Sequence, residues 1–315
     1  MSDFQRKLNR IDSLQGLASA NGANWWKELL QEWRLSGEDA GTDGLRLAIR
    51  DNYLNFYHRG QSVARVAFDA NGAPYASVHL KYLGEPQVIK GKEYARLIDG
   101  FFCASGRADI PFTTGKTLSS IIHASEKWTG REKFMVDLIV AQTPSVVDLE
   151  IGLPRIGEKG GAPRMDLAAL EEDRVSKGVK LVFWEAKTID DSRLRATVPE
   201  EAEVHKQLGK YVLFMKDDDR RSNATNQYRH CCELLVQLAK MAGKEAALSP
   251  LVRRVADGDA FDLDPNPRLI IFEGKTKKGL EEWEVRQGRE WEVYERVITA
   301  TWPTKFSATD GYRVA

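Results

Sequence analysis

The chain has 315 residues, 42% hydrophobic and 29% charged, and its 46 basic residues balance its 46 acidic ones. Zero net charge excludes a protein that coats nucleic acid through a global positive field, so a polyanion would have to be held at local clusters. The apolar content supports one large folded unit or two smaller ones, and no apolar run is long enough to cross a bilayer.

In chain order, the first pattern is an amphipathic helix over 24–35, with Trp25, Leu29 and Trp33 on one stripe. Short strand-like runs follow at 45–50, 53–57, 62–68 and 75–82, separated by turn signals such as Arg59-Gly60 and Asp69-Ala70-Asn71-Gly72. Residues 1–105 therefore form an N-terminal module, an antiparallel meander on a helix, suited to target recognition or partner docking. Tyr53, Phe56, Tyr57 and His58, with Arg59 and Arg65 nearby, fit strand core; the alternative is stacking on bases. Gly115-Lys116-Thr117 ends like a phosphate-binding loop. Ile110 stands where that motif requires glycine, so an NTPase reading fails, and any ATP requirement would fall to a partner subunit.

Residues 106–315 form the second unit. Trp128, Glu132, Met135 and Ile139 fall at helical spacing, so Glu132 interrupts an apolar stripe. Two readings of it stand: a metal-binding carboxylate, or the return half of a capping box opened by Thr129. Glu126 and Glu150 are the other carboxylates of this stretch. A strand is expected over 145–151, a glycine-rich turn over 156–162, and a second strand around Asp166 within the apolar run 165–170. The polar segment 171–178 turns the chain into a third strand, 179–184, closed by Glu185-Ala186-Lys187. Alternation along a strand puts Glu185 and Lys187 on one face and turns Ala186 toward the core. A carboxylate and an ammonium at such a place are costly to bury unless paired or bound to a metal.

A helix is expected from Thr197 to about Met215, with Gln207 and Tyr211 one turn apart on one face. The charged run 216–221 breaks the pattern, and a second helix spans about 226–241. Cys231 and Cys232 are adjacent, which is no zinc spacing, and with Cys103 they make an odd count that suits a reducing cytoplasm. Residues 257–266 read as a loop and 267–272 as a strand. Trp283, Trp291 and Trp302 read as peripheral packing.

The order Asp166, Glu185-Ala186-Lys187, Gln207-xxx-Tyr211 resembles the PD-(D/E)xK nuclease superfamily, and the Gln-xxx-Tyr element resembles its RecB-like branch. The likeness covers roughly residues 115–275. It implies an α+β or α/β fold with a restriction-endonuclease-like mixed sheet flanked by helices. It also implies Mg²⁺-dependent (or Mn²⁺-dependent) hydrolysis of phosphodiester bonds, most readily in DNA, in restriction, phage defence or repair. Asp166, Glu185, the Ala186 carbonyl and Glu132 would be the metal ligands. Lys187 would act beside the attacked phosphate, with Gln207 orienting it or a water and Tyr211 touching the nucleic-acid backbone. Arg193, Arg195, Lys206 and Lys210 are the cations expected against DNA. A nucleic-acid-binding or protein-docking module on the same fold, without cleavage, is the alternative.

Overall fold

The structure is a computed structural model. It describes residues 4–84, 94–104, 109–155, 162–173, 175–188, 191–194 and 203–273, and the backbone of strands 292–297 and 312–313. It is α+β, with two seven-stranded sheets.

The N-terminal part begins with α1 (Ile11–Ser19) and α2 (Trp25–Glu32). Asn24 caps α2, its side chain accepting from the Trp26 and Lys27 amides. The helix stops three residues short of the expected 35, because Trp33 is extended and bridges Leu45. The meander follows as β1 (Arg46–Ile49), β2 (Leu54–His58), β3 (Gln61–Phe68) and β4 (Pro74–His79), with 80–82 as a 3₁₀ turn. It continues through β5 (Tyr94–Ile98), β6 (Phe101–Cys103) and β7 (Ile110–Pro111), each strand pairing with the next. The boundary expected after 105 therefore falls inside this sheet.

Two helices, α3 (Thr117–Glu126) and α4 (Arg131–Gln142), lead into the second sheet. Its strands are β8 (Val146–Gly152), β9 (Arg164–Glu172) and β10 (Val179–Thr188), and then, after α5 (Glu203–Met215), α6 (Asp218–Met241) and α7 (Pro250–Ala256), β11 (Phe261–Leu263), β12 (Arg268–Glu273), β13 (Glu292–Val297) and β14 (Tyr312–Arg313). The order is β14-β13-β12-β10-β9-β8. β8 and β10 each run antiparallel to β9 between them, whereas β11 and β12 run parallel to β10, taking Val179–Leu181 and Trp184–Thr188 of the same edge in turn. The stretch 257–266 is thus not only loop. The charged run at 216–221 is the start of α6 rather than a gap before it, since Asp217 caps that helix. The tail adds β13 and β14 to the sheet; Trp283, Trp291 and Trp302 lie outside the described residues, as does the helix start expected at Thr197.

Alternation along β9 and β10 gives the sheet two faces. Leu167, Ala169, Val182, Trp184 and Ala186 pack with Phe134, Met135 and Val140 of α4. Ala168, Leu170, Leu181 and Phe183 join a larger core with Tyr211 and Tyr228 that runs on without a break into the N-terminal helices and meander. The Phe183 ring lies 5.0 Å from that of Tyr211 and 5.5 Å from that of Tyr228, which in turn meets Phe4 at 5.3 Å. The seam between the parts is tight at Gly60 as well. It has φ +73°, and a Cβ there would lie 2.5 Å from the Lys133 side chain, so only glycine fits.

Candidate active site

Asp166, Glu185 and Lys187 extend the Phe183 face of the sheet by period two. Trp184 pairs with Leu167, so the next residue of β10, Glu185, stands across from Asp166. The Ala186 amide donates to Asp166 Oδ2 at 2.6 Å, tying the two strands at this point. Glu185 is 4% and Lys187 1% exposed. The Lys187 ammonium bonds the Glu185 carboxylate and donates to the Ala186 carbonyl at 2.8 Å. Ala186 itself turns into the α4 face, as alternation requires.

Glu132, in the first turn of α4, reaches the same point: its Oε2 is 3.7 Å from Lys187 Nζ and 3.2 Å from Arg193 Nη2. The capping-box reading does not hold in this geometry. The N-cap of α4 is Gly130, without a side-chain cap, and the Thr129 hydroxyl has no partner among the described residues. Glu126 points elsewhere, toward His58, Arg59 and His123. Glu150 lies between Leu149 and Ile151, which pair with Leu167 and Met165 on either side of Asp166. It is held at φ +49°, an uncommon conformation for a side-chain-bearing residue, and its carboxylate is 3.2 Å from Lys133 Nζ.

These groups open onto a cavity of about 520 Å³ lined by Glu132, Glu150, Asp166, Glu185, Lys187 and Gln207, and on other sides by residues of the N-terminal part. Burial pushes the Asp166 carboxyl well above the ordinary range, the Glu185 charge adds to this, and Lys187 only partly offsets it. Glu185 is raised too, by burial against the pull of Lys187. Burial alone would lower Lys187, but Glu185, Asp166 and Glu132 together hold it above its usual value, so it stays an ammonium. Burial raises both carboxyls, and neighbouring carboxylates raise them further, Glu185 acting on Asp166 and Glu132 on Glu185, so the site is short of positive charge.

The other expected site residues divide. Gln207 lines the cavity, and its Oε1 is buried without a partner among the described residues. Tyr211 does not face the cavity. It is fully buried, and its hydroxyl donates to the Asp264 carbonyl at 2.8 Å, so the expected contact with a nucleic-acid backbone is corrected to core packing. Arg193 lines the cavity but is bonded to Asp191 and Glu132, so it positions Glu132 rather than standing free for DNA. Lys206 and Lys210 are exposed on α5, outside the cavity lining, and Arg195 lies outside the described residues. Of the aromatic set at 53–58, Tyr53 and Tyr57 line the cavity while Phe56 and His58 are core.

A residue that sequence reasoning passed over is Asp148, wholly buried on β8. Arg6 Nε bonds it at 2.8 Å, Arg50 Nη1 at 2.6 Å and the Tyr228 hydroxyl at 3.0 Å. Burial would raise this carboxyl, but the two guanidiniums outweigh that and hold it below the usual range. Only an aspartate inside an apolar strand run hinted at it.

The donor set at Asp166 and Glu185 is carboxylate and main-chain oxygen, the chemistry that hard divalent cations prefer. Among the described residues no group of three His, Cys, Asp or Glu side chains is gathered to enclose a metal by itself. Comparison with protein families, curated proteins and solved structures found no match. No helix among the described residues is long and apolar enough to cross a membrane.

Proposed function

We propose that this protein is a metal-dependent nuclease of the PD-(D/E)xK kind, hydrolysing phosphodiester bonds, most readily in DNA. One observation carries the reading: Asp166, Glu185 and Lys187, chosen from sequence order alone, converge with Glu132 at a single cavity on neighbouring strand ends. The element order supports it too, a helix, three antiparallel strands, helices, and then a strand parallel to the third, as in a restriction-endonuclease-like sheet.

Asp166 and Glu185 would hold Mg²⁺ or Mn²⁺, which when bound supplies Lewis acidity and lowers the pKa of a coordinated water. The rest falls to the chain itself. Lys187, kept charged by its three carboxylate neighbours, offsets the negative charge that develops on the attacked phosphate. Glu132, held by Arg193, brings a further carboxylate to within 3.7 Å of that ammonium and helps keep it charged. Gln207 lines the same cavity with a carbonyl oxygen that has no partner among the described residues.

The test is cleavage of supercoiled plasmid, linear duplex, single-stranded DNA and RNA in Mg²⁺ and in Mn²⁺, by wild type and by Asp166→Asn. Cleavage that needs the ion and is lost in the variant is the expected result. Binding without any cleavage would favour the docking or binding module instead, and cleavage equal in both proteins would end the assignment.

A further inference from the structure

The cavity draws part of its wall from the opposite end of the chain. Arg6 is 4% exposed and held from several sides: its Nε bonds Asp148, its Nη1 donates to the Gln5 carbonyl at 2.9 Å, its amide donates to Gln227 Oε1 at 2.7 Å, and its guanidinium lies 4.2 Å from the Phe4 ring centroid. Its Nη2 is buried, belongs to a residue lining the cavity, and has no hydrogen-bond partner among the described residues. A fixed guanidinium with one unused edge is a costly arrangement unless an anion takes that edge.

Neighbouring groups point the same way. Tyr57 accepts a hydrogen bond from Arg50 Nη2 at 3.2 Å, while its own proton finds no acceptor among the described residues. Arg164, exposed at the cavity rim, precedes Asp166 by two residues and so shares its strand face. Arg50, by contrast, already donates to Asp148, Tyr57 and the Ile49 and Leu149 carbonyls, and has little left to offer.

We propose that Arg6, Tyr57 and Arg164 hold a second, uncleaved phosphate of the same strand whose scissile phosphate lies at Lys187. This rests on the nuclease reading and makes the N-terminal module a wall of the substrate site rather than a separate recognition unit. A phosphate fits better than a carboxylate ligand. A guanidinium edge and a hydroxyl donor match its several oxygens, and a strand supplies a second phosphate at fixed distance from the first.

The test is binding, measured in EDTA so that cleavage plays no part. Fluorescein-labelled 20-mer DNA, single-stranded and duplex, carries one neutral methylphosphonate walked along the strand, and anisotropy gives the affinity of wild type, Arg6→Lys and Tyr57→Phe. In wild type one position should weaken binding by roughly tenfold, the size of a lost charge-assisted hydrogen bond. That penalty should shrink to near nothing in Arg6→Lys and fall in part in Tyr57→Phe. If Arg6→Lys does not fold, by circular dichroism, Tyr57→Phe decides alone, since it keeps the ring. The same penalty in wild type and every folded variant, or no sensitive position in either form of DNA, overturns the proposal. Ion-dependent cleavage alongside such a result would sink the phosphate site and spare the nuclease. A phosphate penalty routed through Arg6 in a protein that cleaves nothing would do the reverse.

Discussion

Asp148, fully buried, and Asp166, half-buried at a cavity, sit on neighbouring strands of one sheet, yet they live under opposite electrostatics. Asp148 meets two guanidiniums and a tyrosine hydroxyl, and its carboxyl is held below the ordinary range. Asp166 meets another carboxylate and a shared ammonium, and its carboxyl is driven up. At the first, the carboxylate's charge is already met by its neighbours. The second lacks positive charge and opens onto a cavity, which is the pattern of a site awaiting a cation or substrate.

Breaking Asp148 should give the largest effect. Asp148→Asn strands two buried guanidiniums and should cost about 3–5 kcal/mol of stability, read by urea unfolding. The pH dependence sharpens the contrast. Because the folded carboxyl is depressed, its contribution is fully present above the ordinary aspartate value of 3.8 and is lost only as pH falls below that. The stability gap between wild type and Asp148→Asn should thus stay flat from pH 7 to about pH 4 and narrow only in stronger acid. A gap that closes near pH 6 would show that Asp148 is not held as described.

Asp166→Asn should do the opposite in EDTA. A raised carboxyl penalises the folded state above its own folded value and not below 3.8, so the variant should match wild type in acid and become the more stable of the two as pH rises. In Mg²⁺ the same variant should lose cleavage. Lys187→Met should lose it by on the order of 10²–10³, as removal of an electrostatic group at a reacting centre does. Methionine is the informative choice because Lys187 is 1% exposed, so truncation to alanine would also open a hole. Undiminished cleavage by Lys187→Met would remove the lysine from the chemistry.

Glu132→Gln comes next. It should lower cleavage by roughly tenfold, in the range of groups that orient a reacting residue, with little change in melting temperature because the carboxylate is 31% exposed. Normal cleavage would take Glu132 out of the chemistry. The smallest effect belongs to Tyr211→Phe, which deletes the bond to the Asp264 carbonyl, costs about 1 kcal/mol and leaves cleavage intact. Loss of cleavage in that variant would return Tyr211 to the site.

How legible this was in the sequence depends on the range of the interaction. The convergence of Asp166, Glu185 and Lys187 follows from alternation along two strands joined by a short connection, so local pattern sufficed. The burial of Tyr211 could not be read from its helical spacing from Gln207, because four residues is slightly more than one turn and only packing decides which of the two meets the sheet. β5 escaped notice because its apolar and polar residues alternate around small Ala95, with exposed Tyr94 and Ile98 blurring the period. The helix start of α6 was hidden because a capping aspartate and a polar first turn look like a loop. Asp148 was beyond reach, since both its cationic partners are remote in sequence.

That remoteness has a consequence for how the chain is made. Arg6 leaves the ribosome 142 residues ahead of Asp148, and Arg50 leaves 98 ahead. At the usual pace of synthesis the first arginine is exposed for on the order of ten seconds before its aspartate exists. Lys7 can pair with Arg50 and Asn52 early, but Phe4 and Arg6 on its near side must wait for the Tyr228 ring and for Asp148 before they reach their final places.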